Sequence, residues 1–297
     1  MLSVGEPSRS PNEMSIEGPT VCSIDGVCMD AHRDVVIVGG GVAGLSAAVF
    51  TARQGLNTLI IDSERRTPSD SRTQSDNAGG SLLRRNAHLE NFPGFPLGVN
   101  ARQLLDLLSE QATNAGADSV DARVTRVVAA EEFGGDELGS DDVDRFRIET
   151  NGDRKIGSQY VIAATKNEVG YLTDIDGIGI IDRGKAYVDV DERGRTGVDG
   201  LYAAGRLAEK PHQAAVCAGH GAEVAITLLE EDETPFYHDW VAPEGYFSDR
   251  GREVPPGCEE IDEPERRARE AASLDAMRER FAEPHPDPQE THPSLEE

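Results

Sequence analysis

The sequence predicts an α/β fold: a parallel sheet with helices and an antiparallel β-meander, forming a single domain with a C-terminal extension. Three observations carry this. Residues 34–38 (DVVIV) form the apolar, β-branched run that a strand buried on both faces requires. A glycine turn and a helical stretch follow. Residues 56–61 then return as a second apolar run that ends on Asp62. Strand, tight turn, helix and strand in this order make a βαβ unit with two parallel strands side by side.

The turn carries chemistry as well as shape. Gly39, Gly41 and Gly44, with Ala43 between the last two, give G-x-G-x-x-G. The first glycine permits the tight turn, the second lets backbone approach a pyrophosphate, and the third lets the helix pack on the strand. The helix N-terminus, with unpaired N–H groups and a positive dipole end, faces that phosphate. Asp62 falls roughly 20 residues beyond the fingerprint, where an acid binds a ribose hydroxyl. The stretch predicts a dinucleotide site without choosing between FAD and NAD.

The remaining elements follow in order. Residues 1–32 are rich in Ser, Pro, Gly and Glu without a period, and are expected to be mostly disordered. Cys22 and Cys28 do not have the spacing of a C-x-x-C redox pair. Residues 63–78 read as a polar loop. Residues 100–115 place Leu104, Leu105, Leu107 and Leu108 on one side of an amphipathic helix, with Asn100 as its cap and Gly116 as its stop. Strands are expected over 122–130, 145–150 and 158–164, the acidic loop 131–144 joining the first two as a hairpin. A short connection (166–184) leads to strands at 186–190 and 198–203. Residues 213–230 then form a long Ala-rich helix, with Pro211 just before it, where its missing N–H costs little. Beyond 231 the composition changes. Phe236, Tyr237, Trp240, Tyr246 and Phe247 cluster, residues 264–281 look helical, and 283–297 read as a disordered acidic tail.

Composition narrows the function classes. The 297 residues include 55 acids against 29 bases, for a net charge of −26 at pH 7. The acids are spread along the chain and only four residues are Lys, the pattern of a protein from a high-salt, halophilic cytoplasm. Such a field repels nucleic acid and anionic membranes. No run approaches the ~20 apolar residues of a membrane span. The start lacks the pattern of a signal peptide. Four Cys in a chain of this length do not suggest a disulfide framework, so a reduced, cytoplasmic setting is expected. His and Cys spacing gives no metal site.

Three separated pieces together resemble one family. The fingerprint with Asp62, the segment Gly79-Gly80…Glu90-Asn91-Phe92-Pro93-Gly94, and residues 196–231 (TGVDGLYAAGRLAEKPHQAAVCAGHGAEVAITLLEE) are similar, in order, to the FAD domain of thioredoxin reductases. The late segment is the specific one and implies FAD in a Rossmann-like FAD-binding domain. The resemblance implies that Gly39, Gly41, Ala43 and Gly44 hold the pyrophosphate, Asp62 the adenosine ribose, and the backbone near Val124 the adenine. It implies that Thr165 closes a turn against the cofactor, that Ser81 and Asn91 approach the isoalloxazine, and that Gly205 and Arg206 meet the ribityl and phosphate region. Gln213 and Ala214 would present N–H groups at a helix N-terminus to the flavin N1/O2 edge, where charge gathers on reduction.

The departures define the functional expectation. The family inserts an NADPH-binding domain, which carries a redox-active C-x-x-C, between the halves of its FAD domain. Here about 20 residues separate Thr165 from Lys185, fewer than the ~30 of a βαβ unit. The chain contains no second G-x-G-x-x-G and no C-x-x-C. Arg206 replaces the family's Asp, and Lys166 the Gly after Thr165. The organisation expected is an extension (1–32), an FAD-binding domain (33–231, halves 33–165 and 185–231) and a C-terminal extension (232–297). The function expected is a flavoprotein oxidoreductase taking electrons from an external donor, whether a partner protein, a small thiol or a small-molecule substrate bound where the missing domain would sit, and the resemblance alone implies a homodimer. The alternative is a redox-silent FAD module with a structural or sensory role. Cys217 is read as core packing or a redox thiol, His212 and His220 as proton relays, and His220 equally as a surface or cap residue. Arg84 and Arg85 are read as a solvated pair or a phosphate contact. The late aromatics are expected on the open flavin face or on the domain's own surface.

Overall fold

The computed structural model describes residues 21–22, 28–63, 80–129, 144–152, 154–232, 235–236 and 238–290. Most of the polar loop 63–78, Gly79, the acidic hairpin tip, Tyr237 and residues 291–297 lie outside the described residues, as does most of 1–32.

The sheet is built as the βαβ pattern requires. Strand β1 is Val21–Cys22 and β2 is Cys28–Val38. Helix α1 (Val42–Arg53) crosses to β3 (Thr58–Asp62). β2 and β3 pair in parallel, Val36 opposite Leu59 and Val38 opposite Ile61. Helix α2 (Ala101–Asn114) leads to β4 (Asp118–Asp121), parallel to β3 at the sheet edge. The meander is β5 (Val124–Ala129), β6 (Phe146–Thr150) and β7 (Lys155–Ala163), each antiparallel to the one before. β7 divides the architecture. Its first residues pair antiparallel with β6, whereas Val161–Ala163 pair in parallel with β10 (Leu201–Ala203), and its whole length lies parallel to β2. The order is therefore β4-β3-β2-β7-β6-β5, with β10 branching from β7.

Alternation sorts the strand residues between two cores. Val35, Ile37, Ile60 and Ile162 face α1, α2 and α3 (Ala214–Glu231). Val36, Val38, Ile61 and Val161 share the second core with Val127, Phe146 and Ile148 of the meander and with Leu172 from the turn after β7. A central strand buried on both faces must be apolar throughout, which is why 34–38 is legible as a continuous run.

Several elements differ from expectation. β2 begins at Cys28, inside the stretch expected to be disordered, because backbone pairing with β1 and β7 extends it. The polar β4 (DSVD) was not expected; it sits at the edge, held by ladder bonds to β3, and needs no apolar pattern. Within 166–188, β8 (Ile180–Asp182) pairs with β9 (Ala186–Val188) as a hairpin. The strand expected from 198 starts at Leu201, because Gly200 turns there with φ +79°.

The C-terminal extension adds a two-stranded parallel ladder, β11 (Trp240–Pro243) with β12 (Cys258–Ile261), and helix α4 (Glu263–Arg280). The Glu260 carboxylate accepts hydrogen bonds from the Ser248 hydroxyl and from the N–H groups of Phe247, Ser248 and Gly245, which hold its pKa down at about 2. Trp240, Tyr246 and Phe247 stack edge to face on one another under Arg250. This cluster is tied to the C-terminal end of α1 by the Arg53–Asp239 pair, away from the N-terminal end where the glycine turn lies, so it does not cover the flavin side. Residues 283–290, expected to be a free tail, run back along α2. His285 Nε2 meets Asp106 Oδ2 at 2.9 Å, and the Glu290 N–H donates to the Arg84 carbonyl at 2.9 Å.

Candidate functional site

The C-terminal ends of the parallel strands converge on one cleft, as they do in open α/β sheets. β3 ends at Asp62, and β2, β7 and β10 lead directly into Gly39, Ala164 and Ala204. Bonds of 2.8 Å from Gly39 N–H to Ile61 O, Ala164 N–H to Val38 O and Ala204 N–H to Ala163 O lock these ends together. An open cleft lies above them, walled by these strand ends and by the starts of α1 and α3 (Ala214–Glu231).

The glycines shape its floor. Gly39 has φ +110°, and a Cβ there would stand 2.8 Å from the Ala164 carbonyl oxygen. A Cβ on Gly44 would overlap the Gly39 carbonyl oxygen, so that glycine serves helix–strand packing and does not line the cleft. A Cβ on Gly41 would meet nothing closer than Ser81 Oγ at 3.7 Å. That position is free within the protein and faces the cleft. Gly40, which the motif leaves unspecified, is also constrained: its Cβ would lie 2.8 Å from Asp62 Oδ2. The run of three glycines was the signal for it.

Two helices aim their N-termini into the cleft, α1 from Gly41 and α3 from Gln213, and neither has a side-chain cap. The two helices that start elsewhere are capped, α2 by Asn100 and α4 by Asp262. Uncapped first-turn N–H groups at a cleft are ready donors to an anion. The helices meet so closely that a Cβ on Gly221 of α3 would overlap the Ala43 carbonyl oxygen of α1.

The sequence-derived residues largely gather here. Gly39, Gly41, Ala43 and Asp62 line the α1 side, with Ser81 opposite; Thr165, Arg206, Gln213 and Ala214 line the rest. Thr165 is fixed by its hydroxyl, which donates to the Glu168 carbonyl at 2.7 Å and meets the Tyr171 hydroxyl at 2.9 Å. Gly205 lies beneath the surface at φ +64°, packed on Ala43. Arg206 donates to the Lys210 carbonyl and to the Tyr187 hydroxyl, with its guanidinium 4.8 Å from the Tyr187 ring centre. Asn91 lies outside the cleft lining and donates to Gln213 Oε1 at 2.8 Å. Val124 is not brought in: its side chain is buried in the meander core. Two residues earlier, the Ala122 N–H donates to the Asp62 carbonyl, so backbone near Val124 adjoins the acid.

His220 is a core residue and not a surface or cap residue. It is 4% exposed, and its Nδ1 accepts the Gly205 N–H at 2.9 Å, while Nε2 has no partner among the described residues. Burial, with Lys210 nearby, pushes its pKa down to about 4, so it is neutral at pH 7. Cys217 is buried against the cleft wall, and desolvation raises its thiol pKa, which keeps it protonated. Lys166 was underweighted by sequence. It lines the cleft with φ +65°, the left-handed backbone that a glycine would take without strain. Its pKa is lowered by burial and then by the charges of Arg85 and Lys185. His212 is likewise lowered, by burial and then by Arg206, Lys166 and Lys185.

Comparisons with known proteins agree with this geometry. Residues 34–83 match the family model described as FAD binding domain. The thioredoxin reductase of Aquifex aeolicus is 36% identical over 95 residues, 32% of this chain and 25% of that protein. The thioredoxin reductase of Chlamydia trachomatis is 35% identical over 96 residues, 32% of this chain and 28% of that protein. The matched stretch thus spans about a quarter of these relatives. A thioredoxin reductase structure from Gloeobacter violaceus aligns over 70% of this chain and 99% of that one, with a TM-score of 0.51 at 19% identity, a likeness of fold. The chain resembles thioredoxin reductases, and the cofactor indicated is FAD. The open face of Gly41, the paired uncapped helix ends and the acid at the end of β3 fit that group. Among the described residues no three His, Cys, Asp or Glu gather as a metal site, and no helix is long and apolar enough to cross a membrane.

Proposed function

We propose that this chain is an FAD-dependent oxidoreductase with a thioredoxin-reductase-like flavin domain, and that its electrons come from an external donor. The observation that carries the reading is the cleft itself, where two uncapped helix N-termini and a glycine floor meet Asp62. FAD supplies the electron or hydride exchange; the protein supplies binding, orientation and electrostatics. In this reading the first-turn N–H groups of α1 hold the pyrophosphate and Asp62 takes a ribose hydroxyl. The α3 N-terminus, at Gln213 and Ala214, stabilises negative charge on the ring edge it faces. His220 holds the Gly205 turn against α1. Cys217, buried and protonated, lines the wall.

The external donor is supported by the path between Thr165 and Lys185. It consists of a 3-10 turn (Gly170–Leu172) and the first strand of the β8–β9 hairpin, which is no βαβ unit. No C-x-x-C occurs in the sequence to act as a dithiol. The charge pattern supports a high-salt cytoplasm as the setting.

The test is anaerobic titration of protein purified in molar KCl. A visible flavin band is expected, bleached by dithionite and by a donor of the right class but not by NADPH alone. Protein that takes up no FAD overturns the proposal, and rapid bleaching by NADPH overturns the external donor. Flavin that only dithionite bleaches marks a redox-silent module.

A further inference from the structure

The cations of this acidic chain are used unevenly. Many arginines elsewhere are matched to acids: Arg53 to Asp239, Arg195 to Asp191 and Glu231, Arg266 to Glu263 and Glu270, Arg280 to Glu110. Around the cleft the pattern reverses. Among the described residues, Arg85, Lys166 and Lys185 form no ion pair or side-chain hydrogen bond, although the chain has 55 acids to offer. Glu168, which lines the same cleft, is turned to Arg123. Arg85, Lys166, Arg206 and His212 line this cleft together, and after burial the charges of Arg85 and of the exposed Lys185 lower the Lys166 pKa further. Partly buried like charges oppose folding, and Lys166 adds a left-handed backbone to that cost. Of the four lysines, Lys166 lines the cleft, Lys185 stands exposed just before β9, and Lys210 carries the carbonyl that fixes Arg206. The backbone donors of α1 already serve the pyrophosphate in the proposed function.

Resting on that reading, we propose that Lys166 and Arg85, which line the cleft, form with the exposed Lys185 nearby an oxyanion subsite for the second ligand of the cleft, a small substrate carrying a phosphate or carboxylate group beside the FAD. Ammonium and guanidinium groups without internal partners bind such groups through charge-assisted hydrogen bonds, and a cleft admits a small molecule better than a flat protein surface.

The experiment titrates FAD-loaded protein, at fixed KCl, with inorganic pyrophosphate in one arm and citrate in the other, read by flavin difference absorbance and by calorimetry. One saturable site is expected, and the tighter arm names the group. Lys166→Gln and Lys185→Gln each weaken that binding about tenfold, while the Kd for FAD stays within about threefold. Lys185 is exposed, so its variant keeps the test open if Lys166→Gln melts early. Unchanged anion affinity in both variants overturns the subsite, as does the absence of saturable binding to loaded protein. So does anion binding that FAD abolishes, which assigns the cations to the cofactor's own phosphates. Protein that takes up no FAD overturns the parent reading and the subsite together; loaded protein that ignores both anions overturns the subsite alone.

Discussion

Gly41 and Gly44 belong to one turn and have opposite sensitivities. A methyl group on Gly41 enters the open cleft, whereas one on Gly44 enters the Gly39 carbonyl. Gly41→Ala should leave the flavin-free melting temperature within about 2 °C and weaken FAD binding by about tenfold or more, read by fluorescence titration. Gly44→Ala should destabilise the fold itself by roughly 1–3 kcal/mol in urea unfolding. Lys166 tests backbone strain: Lys166→Gly should stabilise the protein by about 1 kcal/mol, because only glycine holds φ +65° without a Cβ penalty. His220 tests burial. Its pKa falls from an ordinary 6.5 to about 4, so the folded state binds fewer protons than the unfolded one. Its stabilising effect is complete above pH 6.5 and is lost as pH falls from 6.5 toward about 4. Urea unfolding at pH 7 and pH 5 should show that loss in the wild type, and His220→Leu should flatten it while weakening the Gly205 turn.

At the scale of elements, α1 and α3 are the pair that makes the cleft, and α4 is the element least bound to it. No α4 residue is buried, and its face is laced with Glu–Arg pairs such as Glu263–Arg266 and Glu263–Arg267. Exposed pairs of this kind contribute little each. Arg269 forks onto Glu259 of β12 within the extension, and what ties the helix to the FAD-binding part is its end: Arg280 forks onto Glu110 at 2.7 and 2.8 Å, and Phe281 meets Phe95 at 6.2 Å between ring centres. Replacing both Arg280 and Phe281 by Ala should cost only about 1–2 kcal/mol and leave the core melt single. Amide hydrogen exchange should then show α4 protection lost while α1 and α3 keep theirs. Loss of protection across all three helices would show that the extension belongs to the core.

At the scale of the molecule, a charge of −26 sets the response to salt. Self-repulsion opposes the compact state and is screened as the Debye length shrinks. The melting temperature should rise by roughly 5 °C or more between 0.1 and 2 M KCl, and an equal rise in isosmotic sucrose would assign the effect to solvent exclusion instead. The same field makes the cationic group at the cleft mouth distinct, since anions approaching elsewhere meet acids.

The sequence by itself determined the parallel core, the glycine turn, Asp62, the capped α2 and the late α3, because each rests on local chemistry: a φ sign, a cap, a period, an apolar run. It also placed most of the cleft lining, since strand ends in a βαβ topology fall on one edge. Only the tertiary structure decided the rest. β4 is polar and exists through pairing alone. Residues 283–290 are acidic in composition yet held by Asp106 and Arg84. The aromatic cluster went to the far end of α1, and His220 went into the core. Lys166 reads in sequence as a lost glycine, and the fold turns it into an unpaired cation lining the cleft with Arg85. Such outcomes depend on which residues meet across long chain separations, and no local pattern records that.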